Sequence, residues 1–258
     1  MLRKDGTEPT SLVKFDSSHE LTAVGTDDFG GADISLTRQE PRSATTLNRH
    51  TVRRIGLLTA AVALLLTVAF ANVEFVQTAG YKGSLGPVVI GVVMNTANTA
   101  VEFIEVVTSF YDDAGNYLGN GTGFAGLEIM LPGEISPFTV LGFNVGDGFS
   151  RYDYQVQWRE TTQQPIRDLA IVNSRLSDGF VGQQISGQVR NDTGSAVCFV
   201  EIMAVGYTAD ERLAAVGTGF ASLDVLQPGQ TSPFDILITE AIGSIETYRL
   251  VVQARPSR

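Results

Sequence analysis

A chain of 258 residues has room for one large domain or two small ones, and its single cysteine, Cys198, excludes an intrachain disulfide framework. Residues 1–54 balance eight Lys/Arg against eight Asp/Glu, while the other 204 carry ten against twenty and hold the whole net charge of −10. An acidic surface without a Lys/Arg cluster repels phosphate backbones, so nucleic acid is excluded as a partner.

Residues 1–54 contain only two aromatics, Phe15 and Phe29, in a background of Ser, Thr, Asp, Glu and Gly. Such a stretch buries too little apolar surface to offset the entropy of ordering it, so a disordered tail is expected. Residues 55–71 then read IGLLTAAVALLLTVAFA without a charge. As a helix they would be about 26 Å long, near the lower limit for crossing a bilayer core. A single transmembrane helix over 55–73, embedded in the lipid bilayer, is the expectation. Arg53 and Arg54 stand directly before it, and the first basic residue beyond it is Lys82. The positive-inside rule places residues 1–54 in the cytoplasm and everything after 72 outside, a single-pass cell-membrane topology. Two fates of the segment stay open. It is either an uncleaved signal anchor or, because Ala69-Phe70-Ala71 fits a small-x-small cleavage site, a signal peptide removed after Ala71 to leave a secreted chain.

The strongest signal follows. Residues 91–141 align with 187–237 without a gap at a constant offset of 96, and twenty of the 51 positions are identical. Chance at ordinary composition gives about three. GTGFA recurs at 121–125 and 217–221, and PGxxSPF at 132–138 and 228–234. The offset extends outward through Val76/Val172 and Tyr152/Tyr248. Two repeats over 72–160 and 169–256 are expected, joined by a linker at 161–168.

Within each repeat the pattern is β. In the first, Val101, Phe103, Glu105, Val107 and Tyr111 alternate with Glu102, Ile104, Val106, Thr108 and Phe110, assigning them to opposite faces of one strand. Asp112-Asp113-Ala114-Gly115-Asn116 has the residue types of a hairpin turn. Short strands, frequent turns and no long amphipathic helix point to an all-β fold of two tandem β-sandwiches. The GTGFA glycines mark a bulge or a close backbone approach.

The same residues carry a resemblance. Gly91, Val93, Asn95, Val101, Phe103, Glu105, Tyr111, Asp112, Pro132, Gly133, Ser136 and Pro137 form a pattern that resembles the FxLYD domain of bacterial and archaeal surface and membrane proteins. The second repeat keeps Gly187, Val189, Asn191, Phe199, Glu201, Tyr207, Pro228 and Gly229, and departs at Gly206 and Thr208. The resemblance covers about two-thirds of the chain. It implies an immunoglobulin-like fold and a cell-envelope setting, and no catalytic site.

Chemistry is sparse. Both histidines, His19 and His50, precede the repeats, so Ser/His or Cys/His nucleophile pairs and His-based zinc sites are impossible within them. Catalytic residues, metal ligands and cofactors are all expected to be absent, and Cys198 is read as an inert strand thiol. Asp112, Asp113 and Asn116 offer oxygen ligands for calcium, or simply a polar turn. Asn95 and Asn191 read as turn-capping side chains, and Asn120 and Asn191 also begin glycosylation sequons. Glu105 and Glu201 are equivalent acids that serve either as structural hydrogen-bond partners or as ligand contacts. Trp158 has Ala254 as its counterpart; it either seals a contact between the repeats or packs in a core. The expectation is a non-enzymatic extracytoplasmic binding or spacer protein with a protein or glycan partner. The alternative is a sensory or envelope-assembly subunit that signals through its cytoplasmic tail.

Overall fold

Residues 72–146 and 148–257 are described by a computed structural model. The expected tail, nearly all of the apolar segment and the cleavage position Ala71 lie outside the described residues. The described part is all-β, with fourteen strands and no helix.

The first repeat comprises β1 (Val73–Gly83), β2 (Gly86–Asn95), β3 (Ala100–Tyr111), β4 (Tyr117–Phe124), β5 (Ile129–Met130), β6 (Ile135–Leu141) and β7 (Arg151–Thr161). Two antiparallel sheets result. One has the order β1-β2-β6; in the other β3 is central, with β7 along one edge and β4 and β5 along the opposite one. Both sheets contribute to one buried cluster, including Val89, Val93, Phe138 and Val140 from the first and Ile104, Val106, Phe110 and Tyr152 from the second. Val73, assigned on sequence grounds to the end of the membrane segment, is instead the first residue of β1. It pairs with Asn95 and is buried in this core, which fixes it to the folded unit.

The second repeat follows the same plan with β8 (Leu169–Asp178), β9 (Gln183–Asn191), β10 (Val197–Tyr207), β11 (Leu213–Phe220), β12 (Val225–Leu226), β13 (Thr231–Ile238) and β14 (Thr247–Pro256). Its sheets are β8-β9-β13, and a sheet centred on β10 with β14 on one edge and β11 and β12 on the other.

The repeated glycines of GTGFA serve a close approach between sheets. A Cβ on Gly123 would lie 2.1 Å from the Thr139 carbonyl oxygen, and one on Gly219 would lie 2.2 Å from that of Asp235. No larger residue lets β4 and β11 close over β6 and β13. Asn95 and Asn191 organise the opposite end. The Asn95 amide donates to the carbonyls of Thr99 and Met130, both at 2.9 Å, while its oxygen accepts the Ala97 N–H at 3.0 Å. Asn191 repeats the set with Ser195, Leu226 and Thr193. Both are fully buried, so their bonds replace lost water contacts, and the Asn191 sequon is closed to glycosylation in the folded chain.

The two repeats pack on one another. Val88, Ile90 and Val92 on the outer face of β2 form a buried cluster with Val205 and Leu213 of β10 and β11. This explains why β2 is apolar on both faces, whereas β9, with the sequence QQISGQVRN, alternates. At the same interface the Gln77 side chain accepts the Leu213 N–H at 2.8 Å and donates to the Glu211 carbonyl at 3.1 Å. Met203 lies so close to Gly126 that a Cβ there would come within 2.1 Å of its sulfur. The connection over 161–168 is itself held in place. Arg167 grips Glu134 with two bonds of 2.7 and 3.0 Å and donates to the Ile129 carbonyl, and Ile166 bridges to Ala254.

Candidate functional site

Strict alternation along β3 predicts Val101 and Phe103 on one face. The structure separates them. A β-bulge between Glu102 and Glu105 inserts an extra residue against β7, and Phe103 takes a left-handed backbone with φ 52°. Val101 therefore turns into the core with Ile104, while Phe103 is 61% exposed. The second repeat bulges at the same place, with Phe199 at φ 49° and 67% exposed. Left-handed backbone costs a residue with a Cβ about 1–2 kcal/mol, and a left-handed bulge position is ordinarily glycine. A bulky aromatic held there twice, largely in water, gains little from packing.

Around each of these rings the register assembles the same partners. Glu105 lies opposite Phe124 on β4 and Gln157 on β7; Glu201 lies opposite Phe220 and Gln253. Phe124 and Phe220 are 59% and 56% exposed. The Arg159 guanidinium sits 4.1 Å from the Phe103 ring centre and that of Arg255 5.6 Å from Phe199, within cation–π range. All five side chains, Phe, Glu, Phe, Gln and Arg, are identical in the two repeats at the offset of 96.

The settings differ in depth. In the first repeat Arg159 pairs with Glu102 at 2.8 Å, leaving an open platform. In the second, Cys198 stands where Glu102 would be, and Arg255 reaches across to Glu128 of the first repeat. Gln253 bridges the two units, donating to Glu201 and to the Gly126 carbonyl, each at 2.7 Å, and accepting the Glu128 N–H at 3.0 Å. The result is a cleft of about 220 Å³ lined by Phe199, Phe220, Glu201, Gln253, Arg255 and Glu128.

Of the residues singled out from the sequence, Glu105 and Glu201 thus lie at the centres of these two constellations, half-buried on the outward faces of their sheets. Trp158 packs against a buried cluster built mainly from the first repeat that also takes in Met203 of the second, and a separate aliphatic contact between repeats is made by β2 with β10 and β11. Asp112 closes its hairpin turn: one carboxylate oxygen accepts the Asn116 N–H at 2.7 Å and the other its side-chain amide at 2.8 Å. These bonds, led by the one from the Asn116 side chain, hold its carboxyl below the usual carboxylate range. Among the described residues no group of three or more His, Cys, Asp or Glu side chains is placed to hold a metal ion. Phe124, Phe220, Gln157, Gln253, Arg159 and Arg255 carry no chemical motif in the sequence; their only signal there is identity between the two copies. No described protein family and no curated protein matches the chain.

Proposed function

We propose that the chain is a membrane-anchored, non-enzymatic binding protein that presents two FxLYD-like, immunoglobulin-like β-sandwiches outside the cell. The observation that carries this reading is the retention, in both repeats, of the same five side chains around a phenylalanine that is largely exposed and held in left-handed backbone. Asn95/Asn191 and Gly123/Gly219 are retained because the fold needs them, whereas Phe103/Phe199 and Phe124/Phe220 are retained although each is more than half exposed. The motif residues shared with FxLYD domains, and the basic residues ahead of the apolar segment, support the envelope setting and the orientation.

On this reading the chain leaves the bilayer near Asn72. That end of the first repeat also carries the linker, because the Thr96 N–H bonds to the Asn72 carbonyl and Ala100 pairs with Thr161. The β1–β2 and β6–β7 turns then point away from the membrane. Protease added to intact cells should destroy a C-terminal epitope and spare residues 1–54, with the chain in the membrane fraction. A chain that is protected throughout, or that fractionates with cytosol, contradicts the proposal. A soluble chain beginning at Asn72 would instead establish the secreted form.

A further inference from the structure

We propose that each repeat carries a saccharide-binding site, made of Phe103, Glu105, Phe124, Gln157 and Arg159 in the first and Phe199, Glu201, Phe220, Gln253 and Arg255 in the second. This rests on the binding-protein reading above and names its ligand class.

The chemistry of the site selects among ligands. Two largely exposed phenyl rings flank a carboxylate in each copy. Flat aromatic rings offer an apolar surface to the C–H face of a sugar ring. Beside them a carboxylate accepts and a guanidinium donates, as vicinal hydroxyl groups require, since each hydroxyl donates one bond and accepts others; the Gln253 amide, its own donors engaged by Glu201 and Gly126, holds the carboxylate in place. The cleft of the second repeat has a volume of about 220 Å³, room for a single sugar ring, and sets Glu128, Glu201 and Arg255 beside its two phenyl rings.

Other ligand classes fit less well. Two carboxylates, Glu128 and Glu201, face one guanidinium, Arg255, which disfavours phosphates and other anions. A peptide strand has no backbone to join here. Glu105 lies opposite strand partners on both sides, Phe124 and Gln157, and Glu201 is enclosed likewise by Phe220 and Gln253. Strand addition needs an open edge.

The two copies are not equal. Only the second is walled by the neighbouring repeat, so it is the tighter site, and the open platform of the first adds avidity for a polymeric glycan. The sugar can be presented by a free polysaccharide or by a glycolipid headgroup, which the test separates.

The full chain in detergent is applied to immobilised hexasaccharides of β-1,4-glucose, β-1,4-N-acetylglucosamine and α-1,4-glucose. In parallel it is reconstituted with phosphatidylcholine vesicles with and without a glycosyl diacylglycerol. Retention is expected in one arm. Phe199→Ala with Phe220→Ala should weaken it roughly ten-fold, from two lost ring contacts, and Phe103→Ala with Phe124→Ala by a smaller factor. Phe103→Asn and Phe199→Asn provide the folding control. Asn tolerates left-handed backbone, so these variants should melt no lower than the native chain while still losing binding. The proposal is overturned if the native chain is retained in neither arm, or if replacing all four phenylalanines leaves retention unchanged. Binding of the native chain to isolated cell envelope tells the two failures apart. Envelope binding that persists without the phenylalanines removes the saccharide sites and leaves the binding-protein reading intact. No envelope binding by the native chain removes both.

Discussion

The two repeats share strand order, bulges and the Asn-organised end, yet they differ where one touches the other. On the outer face of β2 the first repeat has Val88, Ile90 and Val92; the corresponding positions of β9 are Gln184, Ser186 and Gln188. On the opposite sheet the polarity reverses. Ser109, Tyr117 and Asn120 of the first repeat become Val205, Leu213 and Val216 in the second. Each repeat has thus become apolar on only one outward face, and those two faces meet. The contact is head-to-tail: the two copies use different surfaces. Divergence between the copies marks the aliphatic docking surface, and the retained, largely exposed phenylalanines mark the proposed binding surface.

Exchanging residues between the copies gives the largest expected effect. Ile90→Ser with Val205→Ser gives each repeat its sibling's residue and places two hydroxyls in a dry aliphatic contact. Docking should weaken by about 3 kcal/mol or more, from lost apolar burial and unpaired polar groups. Denaturant unfolding should then split into two transitions, one per repeat. A single unchanged transition would mean that the outer faces contribute nothing to cohesion.

Gly123→Ala and Gly219→Ala probe what the copies have in common. Each methyl would strike a backbone carbonyl of the facing sheet, so both variants should lose about 2–3 kcal/mol, seen as lowered urea midpoints. Similar losses at the two sites would confirm that the close approach belongs to the repeat and not to its context.

A smaller difference lies in the β-turns. Gly115 occupies the left-handed position of the first at φ 82°, and Glu211 is forced into the same position of the second at φ 59°. Thr208 substitutes for Asp112, its hydroxyl accepting the Arg212 N–H at 3.2 Å. Glu211→Gly should raise the melting stability by about 1 kcal/mol, as relief of backbone strain outweighs the added entropy of the unfolded chain.

The smallest effect is one of pH. Burial, together with a hydrogen bond and the charge of Glu240 in the second repeat, pushes the Tyr81 hydroxyl up to about 12. A raised folded value favours the neutral hydroxyl, so its contribution is complete below the ordinary value of 10 and lost as pH rises towards 12. Tyr81→Phe should therefore flatten the alkaline decline in urea midpoint over that window. Solvent screening of this half-exposed group limits the change to about 1 kcal/mol.

The duplication was legible because a gapless offset survives wherever a turn or a close approach fixes the residue type, as at Asn95/Asn191 and Gly123/Gly219. The strands were legible from their β-branched runs and turn residues. The bulge at Phe103 was not, since an inserted residue in a left-handed conformation leaves a sequence that still reads as alternating. Of the candidate sites, the two glutamates were visible as repeated acids. Their aromatic and cationic neighbours were not, because register across three strands, and not proximity in sequence, brings Phe124 and Arg159 beside Phe103. The docking faces escaped for a related reason: an unbroken apolar run in β2 signals burial on both sides without saying what covers it.

Disulfide trapping tests the head-to-tail docking most directly. A Cβ placed on Gly126 would lie 3.5 Å from Cγ of Met203, so Gly126→Cys with Met203→Cys, in a chain carrying Cys198→Ser, brings two thiols within bonding reach. Mild oxidation should give a monomeric chain two hydrogens lighter and faster on a non-reducing gel. Free thiols, or bonds formed only between chains, would contradict the docked arrangement of the repeats.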